Sequence, residues 1–213
     1  MIVIGLTGGI GMGKSTVARM FATHGIPAFN ADDAVHRLQA PNGRAIPMLE
    51  VSFPGTVQDG VLNRGKLRAL VLGDDVAMRR LEFIMHPLVH QEEAIFRAAA
   101  LRAGRRAVLL DIPLLFETGA ALRFDVTVTV SAPRAVQLAR VLKRGLPRAQ
   151  VEAIIARQMP DAEKRRRADY VIPTGLSKFF TQRAVRREHP GNRGLAHADA
   201  AGEADDDHAV TIL

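Results

Sequence analysis

Between residues 8 and 16 the chain reads Gly8-Gly9-Ile10-Gly11-Met12-Gly13-Lys14-Ser15-Thr16. Glycines let a backbone turn tightly and point successive N–H groups inward, Lys14 adds a cation, and the Ser15 hydroxyl suits Mg²⁺. The chemistry such a set can do is to hold the phosphates of a nucleotide. A chance match to so short a pattern is the alternative, and the flanking sequence argues against it. Ile2 to Leu6 is an apolar run of the kind that forms a buried parallel strand. Ser15 to His24 carries Val17, Met20 and Phe21 at helical spacing before Gly25 closes the helix. Strand, loop and helix come in the order the site requires, so the helix N-terminus presents its unpaired donors and partial positive charge to the phosphates.

Other residues could act on a bound nucleotide. Asp32 follows a short second strand, Ile26-Pro27-Ala28-Phe29, at the carboxyl edge where ligands of open parallel sheets gather. It is the candidate for orienting an acceptor hydroxyl, with helix capping as its alternative role and Asp33 as a secondary candidate. Asp111 ends the apolar run Ala107-Val108-Leu109-Leu110, in the manner of the strand that carries a metal-site carboxylate in phosphate-loop proteins, although an Asp there can equally cap a turn. Arg140 and Arg144 are spaced to project from one helix face, and Arg157 falls on the other arm of a helical hairpin turned at Gly145-Leu146-Pro147. Arginines on such a hairpin can close over nucleotide. His86 reads as structural rather than catalytic, and Lys164-Arg165-Arg166-Arg167 as a solvated helix face.

The elements that must position these residues follow from pattern. Asp32 to Leu38 starts a helix capped by Asn30 or its neighbours. Leu62 to Ala103 is helical, with Asn63 a cap and Pro87 starting a new helix. This long insertion is a candidate substrate-holding region. Phe124 to Val130 alternates as a strand, Pro133 opens a helix to about Arg144, Gln150 to Gln158 and Asp161 to Arg167 are helical, and Tyr170-Val171-Ile172 returns to the sheet. Phe179, Phe180, Ala184 and Val185 allow one more short helix. From His189 onward Gly, Ala, His and Asp dominate and predict disorder.

With 213 residues, 47% of them hydrophobic, the chain can bury a substantial core. Cysteine is absent, which excludes disulfides and thiolate metal sites. No apolar run approaches the span of a bilayer, so the expected location is the cytosol. The net charge of +7 is uneven: residues 189–213 hold one arginine against five acids, leaving the rest at +11. That balance suits an anionic ligand, whether a polyphosphate metabolite or nucleic acid. The absence of Trp and the single tyrosine weigh against stacking platforms for nucleic acid.

From Ile2 to about Gly175 the chain resembles the dephospho-coenzyme A kinases. The resemblance rests on Leu6 to Thr16, the aspartate after the second strand, His86-Pro87-Leu88-Val89, Asp111-Ile112-Pro113-Leu114-Leu115-Phe116-Glu117, the spaced arginines, and Ala168-Asp169-Tyr170-Val171-Ile172. It implies an α/β fold, a P-loop kinase-like five-stranded parallel sheet flanked by helices, with a helical substrate-binding insertion (about 32–103) and a helical lid (about 140–160) in a domain spanning 1–188. The implied reaction moves the γ-phosphoryl of ATP, with Mg²⁺, to the ribose 3′-hydroxyl of dephospho-coenzyme A, the last step of coenzyme A synthesis.

On this footing Asp32, Lys14 and Arg140 are catalytic. The nucleotide falls to Gly8, Gly9, Ile10, Gly11, Met12, Gly13, Lys14, Ser15, Thr16 and Arg140, and the metal to Ser15 and Asp111. Pro113 to Glu117 would shape the acceptor pocket. The expected partners are ATP and dephospho-coenzyme A, with no nucleic acid and no membrane, in a monomer or weak homo-oligomer. Two departures stand out: Asn30-Ala31-Asp32 replaces the family's frequent Asp-Ala-Asp, and from Ser177 the sequence loses the apolar period of the family's closing helix.

Overall fold

The computed structural model describes residues 1–145 and 147–187. The expected tail at 189–213, residue 188 and Leu146 of the hairpin turn lie outside the described residues. The chain divides into two compact units, one formed by Met1–Phe29 with the chain from Ala100 onward, the other by Asn30–Ala99.

The first unit is built on a five-stranded parallel sheet of β1 (Ile2–Thr7), β2 (Ala28–Asn30), β5 (Ala107–Asp111), β6 (Val126–Ser131) and β7 (Tyr170–Pro173), in the order β2-β5-β1-β6-β7. β1 is central, pairing with β5 through Ile2↔Ala107 to Leu6↔Asp111 and with β6 through Ile4↔Val126 to Thr7↔Thr129. That register sets the end of β1, where the glycine loop begins, beside Asp111. Strands buried on both faces read as continuous apolar runs, and every residue of β5 is buried. Even Asp111 is only 5% exposed.

Helices cover the sheet. α1 (Lys14–Thr23) buries Val17 and Phe21, and the chain turns away at Gly25, whose φ is +80°. α6 (Arg134–Leu142) and α7 (Arg148–Ala156) form the hairpin, α8 (Asp161–Arg167) leads into β7, and α9 (Lys178–Arg187) follows it. α9 packs against α1 and β7. Val185 is fully buried, Thr181 is 3% exposed, and Ala184 adjoins the sheet core, while Phe179 and Phe180 remain exposed. The inward stripe thus persists in small residues where the large apolar period fades.

The second unit holds α2 (Ala31–Leu38), α3 (Ile46–Ser52), a two-stranded hairpin of β3 (Val57–Gln58) and β4 (Val61–Leu62), α4 (Arg64–Val71) and the first part of α5 (Asp75–Arg102). Its separate core gathers Leu38, Leu49, Phe53, Leu67, Ile84 and Leu88. Asn30 caps α2 by accepting from the Asp32 and Asp33 N–H groups at 2.8 and 3.2 Å, and Asn63 caps α4 by accepting from Lys66 N–H at 3.0 Å. Pro87 does not open a new helix: α5 runs through it unbroken. A proline inside a helix removes one backbone bond and costs about 3 kcal/mol. Ile84, Met85 and Leu88 on either side of Pro87 are all buried, and their packing holds the helix across the defect.

Candidate active site

β1 delivers the chain into the loop from Gly8 to Gly13, and α1 takes it out again. Gly11 and Gly13 adopt φ of +77° and +96°, a region that L side chains avoid. A β-carbon on Gly11 would also stand 2.5 Å from Val141 of α6. Gly13 caps α1 with no side chain to accept its first-turn donors, and no acidic residue occupies that turn. A helix start left in this state keeps its N–H groups and partial positive charge available for an anion. Ser15, in the first turn, is exposed.

Lys14 reaches from the start of α1 to Asp111 at the end of β5, Nζ to Oδ1 3.3 Å, with side chains 17% and 6% exposed. The pairing follows from register, since Asp111 lies opposite Leu6 at the mouth of the loop. Asp111 therefore faces the phosphate loop rather than serving only as a turn cap. Its carboxylate and the Ser15 hydroxyl are hard oxygen donors of the kind Mg²⁺ accepts alongside phosphate oxygens and water. No cluster of three His, Cys, Asp or Glu suited to a metal exists among the described residues. A two-oxygen set fits Mg²⁺ held largely by the nucleotide better than an ion caged by protein alone.

Arg140 ties α6 to the loop. Its guanidinium donates to the Thr174 hydroxyl at 3.1 Å, to the Thr174 carbonyl at 2.5 Å and to the Gly11 carbonyl at 3.4 Å. The Thr174 hydroxyl in turn donates to the Met12 carbonyl. Around this knot lies a cavity of about 320 Å³ whose lining includes Gly11, Gly13, Thr16, Arg140, Thr174 and Leu176. Its place against the loop, with a cationic rim and an apolar wall, suits the nucleoside end of a nucleotide. Arg144 also lines it, from the turn beyond α6 rather than from the helix itself. Arg157 caps α7, is exposed and lines no part of this cavity.

A second cavity of about 100 Å³ lies on the Gly9 and Met12 side of the loop, lined by Arg134, Gln137, Gln158, Asp161 and Lys164 among others. Here the sequence reading of a solvated basic face is corrected. Arg165, Arg166 and Arg167 are exposed, but Lys164 is fully buried. Its ammonium lies 2.8 Å from one Glu117 oxygen and donates to the other at 3.0 Å. Glu117 also accepts from the Met159 N–H at 2.9 Å. Burial alone would raise the Glu117 carboxyl pKa, but the bonds from Lys164 and Met159 outweigh it and hold the group below the usual glutamate range. In the same stretch Leu115 and Phe116 are buried and Leu114 is exposed.

A family model described as dephospho-CoA kinase matches residues 2–177. The dephospho-CoA kinase of Brucella melitensis is 55% identical over 178 residues, 83% of this chain and 88% of that protein. That of Mesorhizobium japonicum is 54% identical over 176 residues, 82% and 88% of the two chains. The chain belongs to the dephospho-CoA kinase family. Members of that family catalyse the final step of coenzyme A biosynthesis, and the chain is accordingly a kinase. A protein of Thermus thermophilus with a solved crystal structure superposes with a TM-score of 0.75 at 35% identity, covering 91% of this chain and 98% of its own. The dephospho-CoA kinase of Campylobacter jejuni, 21% identical with a TM-score of 0.64 over 86% of this chain and 93% of its own, shares the fold.

Two residues singled out in the sequence belong to the Asn30–Ala99 unit. Asp32 stands two residues past β2 in the first turn of α2, with its side chain exposed, and belongs to the second unit. His86 is exposed on α5. Thr174, Gln137, Gln158 and the buried role of Lys164 escaped the sequence reading. Only Thr174 carried a signal, since it follows the last strand at the sheet's carboxyl edge.

Proposed function

We propose that the chain transfers the γ-phosphoryl of ATP to the ribose 3′-hydroxyl of dephospho-coenzyme A through the residues that surround the glycine loop. The observation that carries this reading is the uncapped start of α1 with Lys14 held at 3.3 Å from the buried Asp111, one strand away. In it, the N–H groups of the Gly8–Gly13 loop take the β- and γ-phosphates, except those of Ile10 and Met12, which are bonded to Gln158 and to the Gly9 carbonyl; Lys14 turns from Asp111 to bridge those oxygens, and Thr16 reaches the α-phosphate. Ser15 and Asp111 would hold Mg²⁺, which supplies neutralisation of charge on the transferring group. Arg140, fixed beside the larger cavity, contacts the nucleotide, and Arg144 is a further contact from the rim.

Asp32 is the group that accepts the 3′-hydroxyl proton and aims the oxygen. Support comes from its position just past a sheet strand, its exposed carboxylate, and Asn30 having already taken the capping role. The ribose oxygen bonds to the γ-phosphorus as the β–γ bridging bond breaks, and ADP departs. The second unit holds the acceptor, and the α6–α7 hairpin excludes water that would otherwise compete for the phosphoryl group. A cytosolic location, small-molecule partners alone, and a monomer or weak homo-oligomer complete the reading; among the described residues no helix is long and apolar enough to cross a membrane.

Purified protein with Mg·ATP and a panel of dephospho-coenzyme A, adenosine, uridine and AMP tests it. Turnover confined to dephospho-coenzyme A is expected. Preferred turnover of a nucleoside or of AMP would overturn the acceptor assignment while leaving the nucleotide side intact.

A further inference from the structure

The two peptide groups that flank Ile10 in the glycine loop are each held by a side-chain amide, one from each arm of the hairpin. Gln158, just beyond α7, accepts the Ile10 N–H on its Oε1 at 3.0 Å. Gln137, in α6 and 3% exposed, donates from Nε2 to the Ile10 carbonyl at 2.8 Å. The orientation of both amides is determined by chemistry. Arg134 donates to Gln137 Oε1 at 3.1 Å, so its NH₂ must face Ile10, and only the oxygen of Gln158 can accept an N–H. The grip also accounts for Gly9. A β-carbon there would lie 3.2 Å from Gln158 Oε1 and 3.3 Å from Gln137 Nε2, tighter than either amide tolerates without moving.

Gln158 is itself anchored through its neighbour. The Met159 N–H is held by Glu117, whose carboxylate is locked by the buried Lys164, and α8 is tied to β6 by the Ser131 hydroxyl donating to Asp161 at 2.7 Å. The return arm of the hairpin therefore stands on rigid ground. With its N–H given to Gln158 and its carbonyl bonded by Gln137, Ile10 has both backbone polar groups engaged by the hairpin.

We propose that Gln137 and Gln158 are positioning residues for the phosphoryl transfer: together they fix the backbone on both sides of Ile10, and so register the hairpin lid against the phosphate loop. Neither touches the reacting atoms in this scheme. They act by holding the loop's shape and by seating the lid so that water is kept from the γ-phosphoryl while the acceptor is in place. The proposal rests on the reading of residues 8–16 as the triphosphate cradle.

The test is Gln158→Met in the full chain, which keeps length and volume but removes the acceptor, with Gln137→Met as a second variant. Three quantities are read: kcat for dephospho-coenzyme A, ATP hydrolysed per acceptor phosphorylated, and hydrogen exchange at the Ile10 amide. Loss of the grip is expected to speed Ile10 exchange by about tenfold or more, lower kcat by about tenfold, and raise the hydrolysis ratio at least about threefold, with KM for ATP changing less than kcat. A merely structural loss would lower active protein without shifting that ratio. Gln158→Glu, which retains an accepting oxygen, should restore slow Ile10 exchange. Should Ile10 exchange accelerate in Gln158→Met while kcat and the hydrolysis ratio match wild type, the proposal is overturned. Lys14→Met run alongside separates the two readings. If it binds ATP as wild type does, the cradle assignment fails; if it loses binding while Gln158→Met is indistinguishable from wild type, only the grip fails.

Discussion

Asp32 carries the sharpest prediction of any single side chain. Asp32→Asn keeps its shape and removes the charge that would accept a proton, so kcat should fall on the order of a hundredfold or more while ATP affinity is kept. Steady-state kinetics with a separate ATP binding measurement checks both halves, and near-normal turnover removes Asp32 from the mechanism. Glu117 and Lys164 make a different prediction, about stability. The Glu117 pKa is depressed in the folded protein, so its contribution is fully present above the unfolded value near 4.5 and is lost as pH falls through the lower folded value. Glu117→Gln leaves a buried ammonium without its counter-charge and should destabilise by about 3 kcal/mol at pH 7, shrinking on acidification. Urea unfolding at pH 7 and pH 4 reads the sign. Residues 8 to 16 were legible because each has a local job stated by its type. Lys164 and the two glutamines were not, because a long polar side chain gives no periodic signal and its partner is set only when distant strands meet.

Secondary structure was legible wherever period and punctuation agreed. The apolar runs of β1 and β5, the proline start of α6 and the caps of α2 and α4 all came from such agreement, whereas α7 begins directly after Pro147, two residues before the expected Gln150. It failed where tertiary packing overrode a local rule, as at Pro87 inside α5, and where two-residue strands are too short for any pattern, as in the β3–β4 hairpin. α9 is intermediate, since its buried stripe is built from Thr181, Ala184 and Val185 rather than large residues, and Thr181 donates to the Pro173 carbonyl at 3.2 Å. Val185→Ala should therefore destabilise by about 2 kcal/mol in thermal or urea unfolding, and truncation after Gly175 by more. Unchanged stability in both would mean α9 is dispensable to the sheet. Arg140 links α6, the glycine loop and the residue after β7 by a forked guanidinium that lysine cannot reproduce. Arg140→Lys should weaken nucleotide binding about tenfold, readable by calorimetry with ADP.

The two units differ in what holds them together, and ligand binding should reveal it. The first is organised by a sheet buried on both faces. The second, Asn30–Ala99, has only the smaller core around Leu49 and Phe53, and leaves Val51, Leu72, Val76 and Phe83 exposed. Small units bury a lesser fraction of their surface and open more readily. Native-state hydrogen exchange should accordingly find β1 and β5 amides exchanging only through global unfolding, and α2 to α4 through a cheaper local opening. A ligand stabilises the unit it binds by RT ln(1 + [L]/Kd), about 2.7 kcal/mol at a hundredfold excess over Kd, or close to a hundredfold in exchange rate. Dephospho-coenzyme A alone should therefore slow exchange in Asn30–Ala99, whereas ADP alone should slow it around residues 8–16. Because each ligand is applied separately and read at every amide, the experiment assigns acceptor and nucleotide to their units without turnover. Protection by dephospho-coenzyme A confined to the first unit would refute the acceptor role given to the second.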